Sequence, residues 1–278
     1  MVADPDTGVS AEDFDYVRAL VRQHSAIVLD PGKEYLVDAR LGPLARHEGF
    51  ATLADLVAQL RRLPFSRLHT QVVSALATNE TSFFRDSIPF ESLRLVVIPE
   101  LLKSRAATRR LNIWSAACSS GQEPYSLAML IREHFPTLAG WDVKIIATDL
   151  SHDMLDRGKS GRYSQLEINR GLPAPMLVKY FVKDGTGWRI KDDVRSMVEF
   201  RRLNLAESWS MMEDMDIVLL RNVLIYFDLD TRRMILKRVR TVLKNDGYLI
   251  LGGGESPVNL DDNYKRIQCE KCDFYQIA

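Results

Sequence analysis

The rhythm of apolar residues changes once along this chain, near residue 110, and that change constrains the fold more than any other feature. Before it, apolar residues recur at helical spacing. Phe14, Val17, Leu20 and Val21 share one side of a segment that Ser10 or Asp13 can cap, and Leu53, Leu56, Val57 and Leu60 do the same behind Thr52. Asp30-Pro-Gly32, Gly49 and Pro64 punctuate these runs, so the spacing predicts a second helix from Tyr35 to about Arg46 and another from Ser66 to Ala77. No strand alternation occurs here, and a helical bundle is expected, followed by a linker helix from Pro89 to Ser104.

Beyond residue 110 short apolar runs alternate with helical ones. Leu111–Ser115, Val143–Asp149, Val198–Leu203, Asp216–Leu220 and Tyr248–Leu251 read as strands. Helices are expected over Pro124–Phe135, from Ser151 onward, and over Asp230–Leu243, the last closed by Asn245-Asp-Gly247. That alternation is the mark of a doubly wound α/β sheet. Tyr264–Gln268 and Phe274–Ile277 are too close in sequence for a crossover, so they must pair antiparallel and make the sheet mixed. Asp184-Gly185, between Phe181-Val182 and Trp188-Arg-Ile190, predicts a hairpin within a small β excursion at about 178–197. The expected division is a helical domain and linker over 1–85 and an α/β domain over 86–278. A mixed sheet ending in a hairpin resembles the class I methyltransferases.

Composition excludes several classes. The formal net charge is zero, which argues against bulk attraction to nucleic acid or an anionic membrane. No apolar run approaches the roughly 18 residues that span a bilayer, and the acidic start Met1-Val-Ala-Asp-Pro-Asp is unlike a secretory signal. A cytoplasmic, monomeric protein is expected. Cys118 stands alone, and Cys269 with Cys272 supplies half of a four-ligand zinc site. The scattered histidines form no HExxH, so no metal is expected.

The loop after the first strand, Ala116-Ala-Cys-Ser-Ser-Gly121, decides the ligand class. A dinucleotide fingerprint needs three glycines and a P-loop needs Gly-Lys-Ser/Thr; this loop has Gly121 alone, followed by Glu123. A phosphate at that helix mouth would meet a like charge. S-adenosylmethionine carries no phosphate, and its sulfonium and ammonium are attracted to a carboxylate. Glu123 also suits the first turn of its own helix, as any acid there would. Asp149, 28 positions after Gly121 and at the end of the second strand, stands where ribose hydroxyls are gripped, although strands also end in Asp as a turn former. Asn222 follows a buried strand at the same edge of the sheet and needs partners.

Three segments, Thr78-Asn-Glu-Thr-Ser-Phe-Phe-Arg85, Ala116-Ala-Cys-Ser-Ser-Gly-Gln-Glu-Pro-Tyr-Ser126 and Arg221-Asn-Val-Leu-Ile-Tyr-Phe227, resemble the CheR-type chemotaxis receptor methyltransferases, and the likeness runs over almost the whole chain. Many relatives carry an acid at the position of Gln122; Glu123 is retained. The resemblance implies a protein-glutamate O-methyltransferase that uses S-adenosylmethionine, releases S-adenosylhomocysteine, and acts on cytoplasmic helices of chemoreceptors. It implies that Asn79, Thr81 and Arg85 close over the cofactor, Glu123 holds its methionine portion and Asp149 its ribose. Asn204-Leu205 would lie against adenine and Asn222-Val223 would line the pocket beside the acceptor. Arg85 and Tyr226 would meet the acceptor carboxylate.

An unperturbed glutamate is ionised near neutral pH, so transfer to it needs orientation and no general base. Arg40, Arg46, Arg61, Arg62 and Arg67 form either the solvated face of the bundle or a docking surface for an acidic receptor helix. In some relatives the β excursion captures a receptor tail by strand addition. A methyltransferase for another protein or a small molecule, and a non-catalytic cofactor- or receptor-binding module, are the competing readings.

Overall fold

The computed structural model describes residues 8–209, 212, 214–268 and 273–278; Cys269, Cys272 and the acidic first seven residues lie outside the described residues. The chain gathers into two compact units, one up to Thr78 together with Tyr226–Thr231, the other Asn79–Ile225 with Arg232–Ala278. This differs from a division after residue 85 in two places. Residues 79–85 belong to the second unit because Phe83 is buried edge-on against Tyr163 and Phe181, at 5.0 and 5.7 Å, and the Phe84 N–H donates to Ser126 Oγ. Residues 226–231 belong to the first because the Val28 N–H donates to the Tyr226 carbonyl and Ile27 bridges Phe227.

In the first unit the expected helices form: α1 (Ala11–Ser25), α2 (Glu34–His47), α3 (Leu53–Arg62) and α4 (Arg67–Leu76). Ser10 caps α1, and Thr52 with Asp55 makes a reciprocal capping box on α3. Phe14, Val17, Leu20 and Val21 of α1 are buried, as are Leu56, Val57 and Leu60 of α3. Each such side chain contributes about 1.5–3 kcal/mol by leaving water.

The second unit opens with α5 (Ile88–Ser92), a π-helical turn over Leu93–Val97, and α6 (Ile98–Ser104). The expected single helix is therefore widened by one turn in its middle. Pro99 lacks an N–H and its ring crowds the carbonyl four residues back; just before it, the Ile98 N–H reaches Leu93 instead of the usual partner.

The strands are β1 (Arg110–Ala116), β2 (Asp142–Asp149), β3 (Arg162–Tyr163), β4 (Phe181–Asp184), β5 (Gly187–Ile190), β6 (Val198–Arg202), β7 (Met215–Leu220), β8 (Leu243–Leu251), β9 (Tyr264–Gln268) and β10 (Asp273–Ile277). Among the described residues, seven form one sheet in the order β6-β2-β1-β7-β8-β10-β9. The first five are parallel; β10 and β9 run antiparallel and close one side, as the terminal sequence requires. β7 is buried throughout and β1 along most of its length, which explains why both are mostly apolar on both faces. The remaining helices are α7 (Gln122–His134), α8 (His152–Ser160), α9 (Gln165–Asn169), α10 (Ala174–Tyr180), α11 (Asp192–Arg195) and α12 (Leu229–Val242). α7 and α8 pack against β2 and β6.

Asn245-Asp-Gly247 does not close a helix. It forms a bulge within β8, where the register with β7 jumps from Met215–Leu243 to Ile217–Tyr248. The cause is a buried charge: Asp216, fully buried opposite the bulge, accepts from Lys244 Nζ at 2.9 Å, Arg105 Nε at 2.7 Å and the Asn112 N–H at 2.8 Å. The expected hairpin is β4–β5, and Arg162–Tyr163 adds a third strand to it in the order β3-β5-β4.

Candidate active site at the carboxyl edge of the sheet

Strand order reverses between β1 and β7, whose neighbours run outward on opposite sides. In open α/β sheets that switch point leaves a crevice outside the carboxyl ends. Here Ala117, Ser119 and Asn222 carry φ of +54°, +51° and +57°, conformations costly for residues with a Cβ. Gly121, at φ +92°, ends the β1 loop and starts α7. A side chain there would also meet the Phe200 ring at 3.0 Å.

Asp149 at the end of β2 is buried and organises that loop. Its carboxylate accepts the Ser119 N–H at 2.8 Å and the Ser151 N–H at 2.9 Å, and Ser119 Oγ donates to the Asn79 carbonyl at 2.8 Å. Burial pushes the Asp149 carboxyl above its ordinary pKa, opposed by the N–H groups of Ser151, Ser119 and Leu150. These amides still leave the carboxylate with a spare accepting direction. Asn204 and Leu205 sit close by and are buried, since the Leu203 N–H donates to the Asp149 carbonyl; Asn204 Oδ1 accepts from the Ala206 N–H at 3.0 Å.

Glu123 is already partnered. Ser115 Oγ donates to one of its oxygens at 2.8 Å and Arg221 Nη1 to the other at 2.8 Å. The Arg221 side chain is 2% exposed, and its Nη2 also donates to the Arg85 carbonyl at 2.8 Å and to Asp86 at 3.0 Å. Arg221 thus joins β7 to α7 and to the segment ahead of α5. Arg85 curls that segment by donating to the Glu80 carbonyl at 2.7 Å. The Cys118 thiol is buried beside Asp149 and Glu123, and burial with those charges pushes its pKa well up, so it is no nucleophile.

Arg221, Ser119 and Tyr163 escape sequence reasoning. The Arg221 signal is an arginine directly following the buried run Asp216–Leu220. Tyr163 has no such signal: it lies on β3, and its hydroxyl donates to the Ser120 carbonyl at 2.8 Å from 43 residues away. Tyr226 belongs to the helical unit. Three of the five expected docking arginines have partners within that unit, Arg67 through an ion pair with Glu48 at 3.9 Å. Arg40 donates to the carbonyls of Leu76 and Ala77 and to Thr78 Oγ1, finishing α4. Arg61 donates to Glu12 and Asp13 and lies over the Tyr16 ring. Arg46, Arg62 and Arg67 are exposed.

This donor set fits S-adenosylmethionine. Its methionine end is zwitterionic, and Glu123 beside the Arg221 guanidinium offers one group for each charge, with the buried Arg221 Nε lacking a partner among the described residues. A buried acid at the end of β2 suits ribose hydroxyls. Thr81 and Val223 are half-buried in the flanking segments. The described residues hold no cluster of histidine, cysteine and acids able to bind a metal, and no helix among them is long and apolar enough to cross a membrane.

Comparison with known proteins agrees with this geometry. Residues 79–272 match the family model described as "CheR methyltransferase, SAM binding domain", and residues 12–76 match "CheR methyltransferase, all-alpha domain". The chain is 45% identical over 268 residues to chemotaxis protein methyltransferase 1 of Pseudomonas aeruginosa, covering 95% of this chain and 97% of that one. It is 43% identical to chemotaxis protein methyltransferase Cher2 of Pseudomonas putida, with coverage of 95% and 97%. Against chemotaxis protein methyltransferase 1 of Vibrio cholerae it is 40% identical, with coverage of 97% and 98%.

Proposed function

The chain belongs to the CheR methyltransferase family, and on that premise we propose that it methylates glutamate side chains on the cytoplasmic helices of chemoreceptors. S-adenosylmethionine supplies an electrophilic methyl group when bound. The products are glutamate methyl esters and S-adenosylhomocysteine, formed in the cytoplasm.

The observation that carries this reading is the pair of acids, buried Asp149 and partly buried Glu123, at the carboxyl edge of a sheet whose loop lacks phosphate-binding glycines. In this reading Asp149 grips the ribose and Asn204-Leu205 flank the adenine. Glu123 and Arg221 hold the two charges of the methionine end, and Asn222-Val223 shape the wall beside the acceptor. Asn79 and Thr81 close the other side. An ionised glutamate needs no base, so the work left to the chain is to orient it and exclude water. Arg85 is the residue we assign to that orientation, through a charge-assisted bond that steers the carboxylate. Tyr226 as a second donor, and Arg46, Arg62 and Arg67 as a docking surface for an acidic helix, rest on the sequence resemblance.

The test is incubation with methyl-labelled cofactor and receptor cytoplasmic fragments. Base-labile label is expected on the fragments and should vanish when their glutamates are replaced. Tight cofactor binding with no label on any receptor fragment would defeat the proposal and favour a methyltransferase of another substrate or a non-catalytic module.

A further inference from the structure

We infer that Glu255 is a positioning residue for the cofactor pocket, acting through the backbone of Asn222 and Val223; the inference rests on the methyltransferase reading above. β8 ends at Leu251 and the chain continues Gly252-Gly-Gly-Glu255. One oxygen of the Glu255 carboxylate accepts the N–H groups of Asn222 at 2.7 Å and Gly252 at 2.8 Å. The other accepts those of Val223 at 2.9 Å and Leu224 at 2.7 Å, with Ile225 at 3.4 Å.

Consecutive N–H groups turned toward one point form a concavity that favours an anion. This chain fills the concavity with its own carboxylate. Those amides are therefore spent, and an incoming substrate carboxylate has to be steered by side chains instead. The shape of the turn after β7 is set by a residue more than thirty positions further on.

That turn matters because it carries two pocket elements. Arg221 at its start holds Glu123 at 2.8 Å, and Asn222, at φ +57°, follows directly. Asparagine reaches that left-handed conformation more readily than other residues with a Cβ, and Glu255 fixes it there by binding the N–H groups on both sides of the Asn222 Cα. Gly252 completes the fit. A Cβ there would come within 2.7 Å of both Asn222 Nδ2 and Glu255 Oε2. Losing the carboxylate should release the turn, tilting Asn222-Val223 and loosening the hold of Arg221 on Glu123.

Two variants displace the same node by different means. Glu255→Gln keeps the volume but puts an NH2 group against N–H donors; Gly252→Ala keeps the charge and crowds the turn. S-adenosylhomocysteine affinity is measured by calorimetry well below the unfolding temperature, on both variants, on Asn222→Ala and on Glu255→Gln/Asn222→Ala. Amide hydrogen exchange is followed on the cofactor-free proteins. Each of the two node variants is expected to bind at least about tenfold more weakly, the scale of one charge-assisted hydrogen bond. Exchange should accelerate over 222–225 while β7 and β8 stay protected. The double variant should lose less than the product of its single losses, because both substitutions act on one turn. Wild-type affinity in Glu255→Gln, multiplicative losses, or faster exchange throughout the unit would each overturn the inference. No receptor is present in these measurements, so failure of receptor methylation would leave their outcome intact.

Discussion

Arg221 bridges three segments from an almost wholly buried side chain. Replacing it by methionine keeps much of the volume and removes the guanidinium. Glu123, 12% exposed, would keep Ser115 as a partner and lose its counter-charge at 2.8 Å. Asp86 would lose its ion pair at 3.0 Å at little cost, because its side chain is 55% exposed. The Arg85 carbonyl would lose its donor at 2.8 Å. Stranding one member of a buried pair costs about 3–5 kcal/mol, and the spare hydrogen bond and residual exposure of Glu123 favour the low end. About 3 kcal/mol lowers the melting temperature of a domain this size by roughly 6–12 °C. Thermal unfolding of the cofactor-free protein reads that number. Adding Glu123→Gln to Arg221→Met removes the stranded charge and should restore roughly 1–2 kcal/mol, a sign opposite to additive damage. A loss below about 1 kcal/mol in Arg221→Met, or a double variant worse than either single one, would refute the account of Arg221 as the charge holding Glu123 in place.

Two further outcomes follow from the same geometry. Burial raises the Asp149 pKa, so the folded carboxyl takes up a proton at higher pH than the unfolded one. Between those values the folded state holds more protons, and this group adds stability as pH falls and withdraws it as pH rises. If Asp149 grips the ribose as proposed, binding uses its ionised form, and affinity for S-adenosylhomocysteine should decline on acidification before the ordinary aspartate value of about 3.9 is reached. Asp149→Asn should lack that decline, and a flat wild-type profile would contradict the ribose assignment. Phe83→Ala would empty a fully buried site between Tyr163 and Phe181, costing about 3–5 kcal/mol by denaturant unfolding. A cost near zero would mean that the segment carrying Arg85 is not anchored there.

What could be read along the chain was local or periodic. The helical stripes of α1 and α3, their caps at Ser10 and Thr52, and the apolar runs of β1, β2 and β7 follow from side-chain spacing alone. So does the identity of the acids at 123 and 149, because each stands directly beside the element that places it. The π turn before Pro99 and the bulge at Asn245-Asp-Gly247 were not legible. One depends on how a helix absorbs a missing N–H in its middle, the other on Asp216 drawing in Lys244 and Arg105 from separate segments.

The covalent order of residues settles which backbones can be helix or strand and which edge of the sheet gathers acids, since both rest on neighbours a few positions apart. Folding in three dimensions settles who holds whom. Glu123 meets Arg221 across 98 positions, Ser120 meets Tyr163 across 43, and Asn222 meets Glu255 across 33. Hydrogen bonds and ion pairs act over about 3 Å, and no periodicity in the chain encodes which distant groups arrive within that reach.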